Sequence, residues 1–184
     1  MSKLITNSIK HPNSSTDNIV LNADGSVIGV GLFSTYAIVA DRKSLNEVSG
    51  VLTANTWNLR DLNTVVADKD SIITISTDEK GFELGTGSYL IKASAPSFNA
   101  QFSKIGILQD NVVIEEGTST VSQASAGNIS SFVAGRVVVT GSTSVIAIGH
   151  IAAATTTNKG GGHPSQTLGS YEQYTTVEIY KESE

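Results

Sequence analysis

Short runs rich in β-branched residues recur every eight to fifteen positions along this chain, separated by turn formers. Hardly any helical periodicity interrupts them. This pattern constrains the fold more than any other feature, because period-2 alternation cannot serve a helix. Residues 36–40 are apolar, and 56–62 place Trp57 and Leu59 on one face. In 71–76, Ile73 and Ile75 oppose Ile72 and Thr74. Glu79-Lys80-Gly81 reads as a turn before 82–84 resumes the pattern. In 89–95, Tyr89, Ile91, Ala93 and Ala95 oppose Leu90, Lys92 and Ser94. Further strands are expected at 104–108, 112–114, 136–139, 145–151 and 175–180. A helical turn is expected only within 41–48. Roughly eight to ten short strands with regular turn chemistry indicate an all-β fold, a jelly-roll β-sandwich rather than a seven-stranded immunoglobulin-like one.

Residues 1–31 read differently. A polar, Pro-broken run at 7–18 precedes the short apolar strand Ile19-Val20-Leu21. Asp24-Gly25 then signals a hairpin turn into Val27 and Ile28, because Gly accepts positive φ without a steric penalty. The expectation is an N-terminal β arm at 1–31, too small to hold a core alone, and a head at 32–184.

Composition removes several classes of function. There is no Cys, which excludes a disulfide scaffold, a thiolate-bound metal and a thiol nucleophile. A net charge of -5 speaks against a nucleic-acid partner. No apolar run approaches the ~18 residues of a membrane span, and the N-terminus carries no hydrophobic region of signal-peptide length. Polarity comes largely from 24 Ser and 19 Thr, a surface suited to neutral hydrogen bonding.

Chemistry is sparse. The acidic residues are scattered, and no pair is singled out as the converging carboxylates a polysaccharide depolymerase would need. No GxSxG elbow, phosphate-cradling Gly motif or HExxH spacing occurs. No catalytic residue, cofactor or metal is therefore expected, although three copies of one His around a trimer axis would suffice for a metal. Gly160-Gly161-Gly162 sits in the long polar stretch 155–170, read either as a mobile connection or as an exposed recognition loop. In the second case Thr156, Asn158, Lys159 and His163 are the candidate contacts.

The run 145–151 is apolar on both faces. If Ile146 and Ile148 point inward, Val145, Ala147, Gly149 and Ile151 point outward and need a second layer. That layer is either a loop of the same chain or a neighbouring subunit. The subunit reading makes these four residues a candidate interface, with Tyr171 and Tyr174 as aromatic additions.

Two segments carry a resemblance. The stretches ITNSIKHPNSS at 5–15 and NIVLNADGSV at 18–27 resemble a leader of small bacteriophage structural proteins, especially tail-fibre and related virion proteins. WNLRDLNT at 57–64, FELGTGSYLIKASAP at 82–96, SFVAG at 131–135 and YEQYTTVEI at 171–179 resemble phage relatives of the C1q/tumour-necrosis-factor (C1q/TNF) jelly roll. The resemblance implies a ten-stranded jelly roll, a tight homotrimer, and binding through exposed loops rather than catalysis. It implies a location in the virion, assembled in the host cytoplasm and released by lysis, which needs no export signal. Partners would be other virion proteins of capsid or tail and a host surface glycan or protein. Ile9, His11, Pro12, Ile19 and Leu21 become candidates for docking on the particle. The protein is expected to be a tail-fibre or receptor-binding head or, alternatively, a capsid decoration (cement) protein.

Overall fold

A computed structural model describes residues 8–9, 19–21, 27–28, 33–123 and 127–182. β1 (Ser8–Ile9), β2 (Ile19–Leu21) and β3 (Val27–Ile28) pair antiparallel in that order. They form a three-stranded sheet. Ile9 lies on β1, and Ile19 and Leu21 lie on β2; His11, Pro12 and the Asp24-Gly25 turn lie outside the described residues.

The other strands are β4 (Phe33–Ser44), β5 (Asn58–Leu59), β6 (Thr64–Asp68), β7 (Ile73–Ile75), β8 (Phe82–Ser97), β9 (Gln101–Gln109), β10 (Val112–Glu116), β11 (Thr120–Ser122), β12 (Ile129–Ala152) and β13 (Tyr171–Glu182). All their pairings are antiparallel, and no helix occurs among the described residues. The helical turn expected at 41–48 is absent: β4 runs on to Ser44, and a turn follows. Pairing with β13 claims this backbone first, from Tyr171↔Ser44 to Glu182↔Phe33.

Two long strands turn one continuous sheet into a sandwich. The first leaf orders β6-β4-β13-β8 and the N-terminal half of β12. The second joins the C-terminal half of β12 to β9, β10 and β5. Between Val139 and Thr143 the β12 register shifts, opposite the Gly85-Thr86-Gly87 stretch of β8. Inward parity flips at this corner. On β8 it passes from Phe82 and Leu84 to Tyr89 and Ile91; on β12 it passes from Val137 and Val139 to Ile146 and Ile148. Such irregularities let a strand leave one sheet and enter the next. Between the leaves lies one core, in which Val39, Ile91, Val177 and Ile179 meet Phe82, Ile105, Ile107, Ile146 and Ile148.

Candidate binding surfaces

At one end of the sandwich, polar groups are buried rather than displayed. Asp41, His150 and Thr175 have no exposure, and Arg60 has almost none. Arg60 Nε donates to Thr175 Oγ1 at 2.9 Å, and its Nη2 donates to the Gly161 carbonyl at 2.7 Å. The Asp41 carboxylate lies 3.9 Å from Arg60 Nη2 and 3.6 Å from Lys43 Nζ. Lys43 and Lys80 both reach Asp61. Burial pushes the Asp41 carboxyl up against the pull of Lys43 and Arg60. Burial, reinforced by Arg60, holds His150 down at about 3. His150 points inward with Ile146 and Ile148, and neither ring nitrogen has a partner. A histidine enclosed inside the sandwich cannot gather with its copies around an external axis, which removes this one as an axial metal ligand. Among the described residues no group of three metal-ligating side chains occurs.

The Gly160-Gly161-Gly162 segment closes over this cluster and is buried, correcting its reading as exposed. A Cβ on Gly161 would lie 1.8 Å from Arg60 Nη1, so the guanidinium has taken the space that glycine leaves. Thr156 is also buried; its Oγ1 accepts from the Leu52 N–H at 2.8 Å. Thr156 therefore holds the loop down and is not available as a contact. The Asn158 side chain is exposed, while its carbonyl accepts from the Gly50 N–H at 2.7 Å. Lys159 Nζ lies 3.1 Å from His163 Nε2. His163 packs edge-on against Phe98 and exchanges two hydrogen bonds through its backbone with the Asn128 side chain. Of the four loop candidates, only His163 lines the groove of about 490 Å³ that Phe98, Asn128, Ser165 and Gln173 also border.

The doubly apolar strand finds its second layer within the chain. Gly106 and Gly149 are partners across β9 and β12. A Cβ on Gly106 would fall 3.0 Å from Cη2 of Trp57, and one on Gly149 would fall 2.9 Å from Cε3. The indole thus lies over both glycines. Ala147 and Gly149 are buried, Ile151 is half-buried, and Val145 remains 39% exposed. Of the two alternatives, cover from the same chain accounts for Ala147 and Gly149. Tyr174 is likewise buried, and its hydroxyl donates to the Glu47 carbonyl at 2.6 Å. The β13 register shift between Gln173 and Thr176 turns it inward beside Thr175. Tyr171 stays exposed, with the Arg42 guanidinium 4.6 Å from its ring centre.

One uncovered apolar face escaped the sequence reading. On the outer side of the first leaf, Phe132, Ala134, Arg136 and Val138 of β12 sit opposite Ser94, Lys92, Leu90 and Ser88 of β8. β13 continues these rows with Thr176, Glu178 and Tyr180, and β4 adds Ile38 and Tyr36. Phe132 is 58% exposed, Val138 43% and Tyr36 42%. A depression of about 430 Å³ lies between Phe132, Lys92, Ser94, Thr176 and Glu178. Apolar outward positions on 129–139 were the available signal.

No family model matches the sequence, and no curated protein does. Solved structures do resemble the fold. The vertex protein P5 of PRD1 superposes with a TM-score of 0.53 at 13% identity, covering 83% of this chain and 100% of that one. The Eiger TNF of S. frugiperda gives 0.50 at 9% identity, covering 82% and 93%. The globular domain of the zebrafish complement 1qA protein gives 0.49 at 11% identity, covering 79% and 95%. With the pairing above, the likeness establishes a jelly-roll β-sandwich.

Proposed function

We propose that this chain is a non-enzymatic structural protein of a bacteriophage virion. In this reading it works as a homotrimeric tail-fibre or receptor-binding head, with the 1–31 arm docking on the particle through Ile9, His11, Pro12, Ile19 and Leu21. The observation that carries the trimer is the uncovered first leaf. Phe132, Val138 and Tyr36 stand exposed together on this one face, and apolar patches on a surface mark association sites. The interface then centres on this leaf, with Tyr171 as an outlying contact, whereas Val145 and Ile151 lie on the opposite leaf and fall outside it. The virion assignment draws on the leader at 5–27 and on the likeness to the PRD1 vertex protein, which spans that protein's whole length. Receptor contacts are assigned to the end of the sandwich that carries Asn158, Lys159 and His163. A host surface glycan or protein is the receptor in this reading.

The vertex likeness also favours a second reading, a trimeric decoration protein fixed to the capsid by the same arm. Imaging of the intact particle separates the two. Density for this chain at fibre tips supports the first reading, and density at capsid symmetry axes supports the second. A chain missing from purified particles overturns both.

A further inference from the structure

The outer face of the second leaf points away from the face assigned to the trimer. Trp57 lies on it as a fixed platform, one side of its indole seated on Gly106 and Gly149. Two glycines in register give it a flat floor. The ring is only partly buried, and its N–H has no hydrogen bond among the described residues. One row along, Lys104 and Ile151 are partners, and beyond them, near the start of β9, Phe102 is 65% exposed. Between lies a recess of about 180 Å³ bordered by Asn55, Lys104, Ser119 and Ile151. The side chains of Asn55 and Ser119 make no hydrogen bonds among the described residues. Lys104 is engaged by Glu116, so the recess presents no unpaired charge.

We propose that this face is a carbohydrate-binding site, in which a neutral pyranose ring stacks on Trp57 and a neighbouring sugar unit occupies the recess toward Phe102. The electron-rich face of an indole attracts the polarised C–H groups on one side of a sugar ring. Trp57 sits over Gly106, and Phe102 lies four positions away from Gly106 on the same face of β9, a span of about 13 Å that matches an oligosaccharide better than a single sugar. The Asn55 amide and Ser119 hydroxyl offer donors and acceptors to sugar hydroxyls. An apolar knob from a protein partner would leave those groups dry and unpaired. The chain's net charge of -5 disfavours a nucleic acid. The inference rests on the receptor-binding reading: it adds a second contact surface beside the Asn158–His163 end and names that surface's ligand class. Three copies on one particle would raise weak single-site affinity through effective concentration.

Trp57 is the single tryptophan, so intrinsic fluorescence reports this site directly. The purified full chain is titrated with maltohexaose, cellohexaose and chitohexaose. A saturable emission change with at least one probe, in the millimolar range for a single site, is expected. Phe102→Ala and Asn55→Ala, both at exposed positions, should each weaken that binding about tenfold while circular dichroism is unchanged. Unaltered emission with all three probes through the millimolar range overturns the proposal, as does full-strength binding by both variants. Sedimentation of the same samples keeps the readings apart. An intact trimer that binds no sugar removes this site only, whereas a monomer that binds sugar removes the trimer only.

Discussion

Two residues decide the character of the buried end. Gly161 has no alternative: any Cβ there meets the Arg60 guanidinium, which is itself held by Thr175 and the Gly161 carbonyl. Gly161→Ala is expected to cost about 2–4 kcal/mol through overpacking around a buried ion, read as a lower unfolding midpoint at fixed protein concentration. His150 makes the opposite case, because it is enclosed yet has no hydrogen-bond partner. Its folded pKa of about 3 lies below the ordinary 6.5. The unfolded chain therefore binds more protons between those values, and stability falls as pH drops from 6.5 toward 3. The full contribution is on the order of 5 kcal/mol. Asp41 works against it: its raised pKa means the folded state takes up a proton more readily as pH falls. Denaturant midpoints of the wild type and His150→Leu between pH 7 and 3 isolate the histidine. The variant should be within about 1 kcal/mol of the wild type at pH 7, since it leaves no buried polar atom unpaired at that position, and should lose much less stability in acid. Parallel profiles would show that His150 does not titrate on unfolding. No local pattern announces this cluster. Asp41, Arg60, His150 and Gly161 come from four distant stretches, and only the closed sandwich brings them together.

At the scale of elements, period-2 alternation located most strands because each leaf buries one face. It failed where parity flips. The alternation marks separate strands at 82–84 and 89–95, and again at 136–139 and 145–151, whereas β8 and β12 each run through the corner. β6 was missed: Val65 and Val66 are both exposed, so its TVVAD sequence carries no clean alternation. The outward apolarity of 145–151 was legible, but its cover was not, since Trp57 lies far away in sequence. That cover predicts a specific response. A methyl on Gly149 would meet Leu108 Cδ1 at 2.7 Å and the indole at 2.9 Å. Both neighbours are side chains that can give way, so Gly149→Ala should cost about 1–3 kcal/mol and lift the ring into water. A red shift of the Trp57 emission in the folded variant is the readout. Unchanged emission would mean that the indole is not seated on these strands.

At the scale of the whole molecule, both outer faces carry exposed apolar side chains, Phe132, Val138 and Tyr36 on the first leaf and Phe102 on the second, but they arrange them differently. The second leaf covers its glycines with its own tryptophan, while the first leaf leaves Phe132 and Val138 bare beside a Lys92–Glu178 row. One outer face of a sandwich can remain in water when its residues are polar. Here the polar residues form a central strip, and the aromatic residues flank it. An interface of ordinary size buries about 800 Å² per partner around an apolar centre, and its core tolerates a new carboxylate poorly. Phe132→Glu places that charge at the most exposed aromatic position of this leaf, where a monomer would solvate it at little cost. Sedimentation velocity should therefore show the wild type as a trimer and Phe132→Glu as a folded species of one third the mass. Val145→Glu, on the opposite leaf, should leave the trimer intact. If the Val145 variant dissociates and the Phe132 variant does not, the subunits meet through the second leaf. The carbohydrate face around Trp57 would then be closed to ligand in the assembled protein.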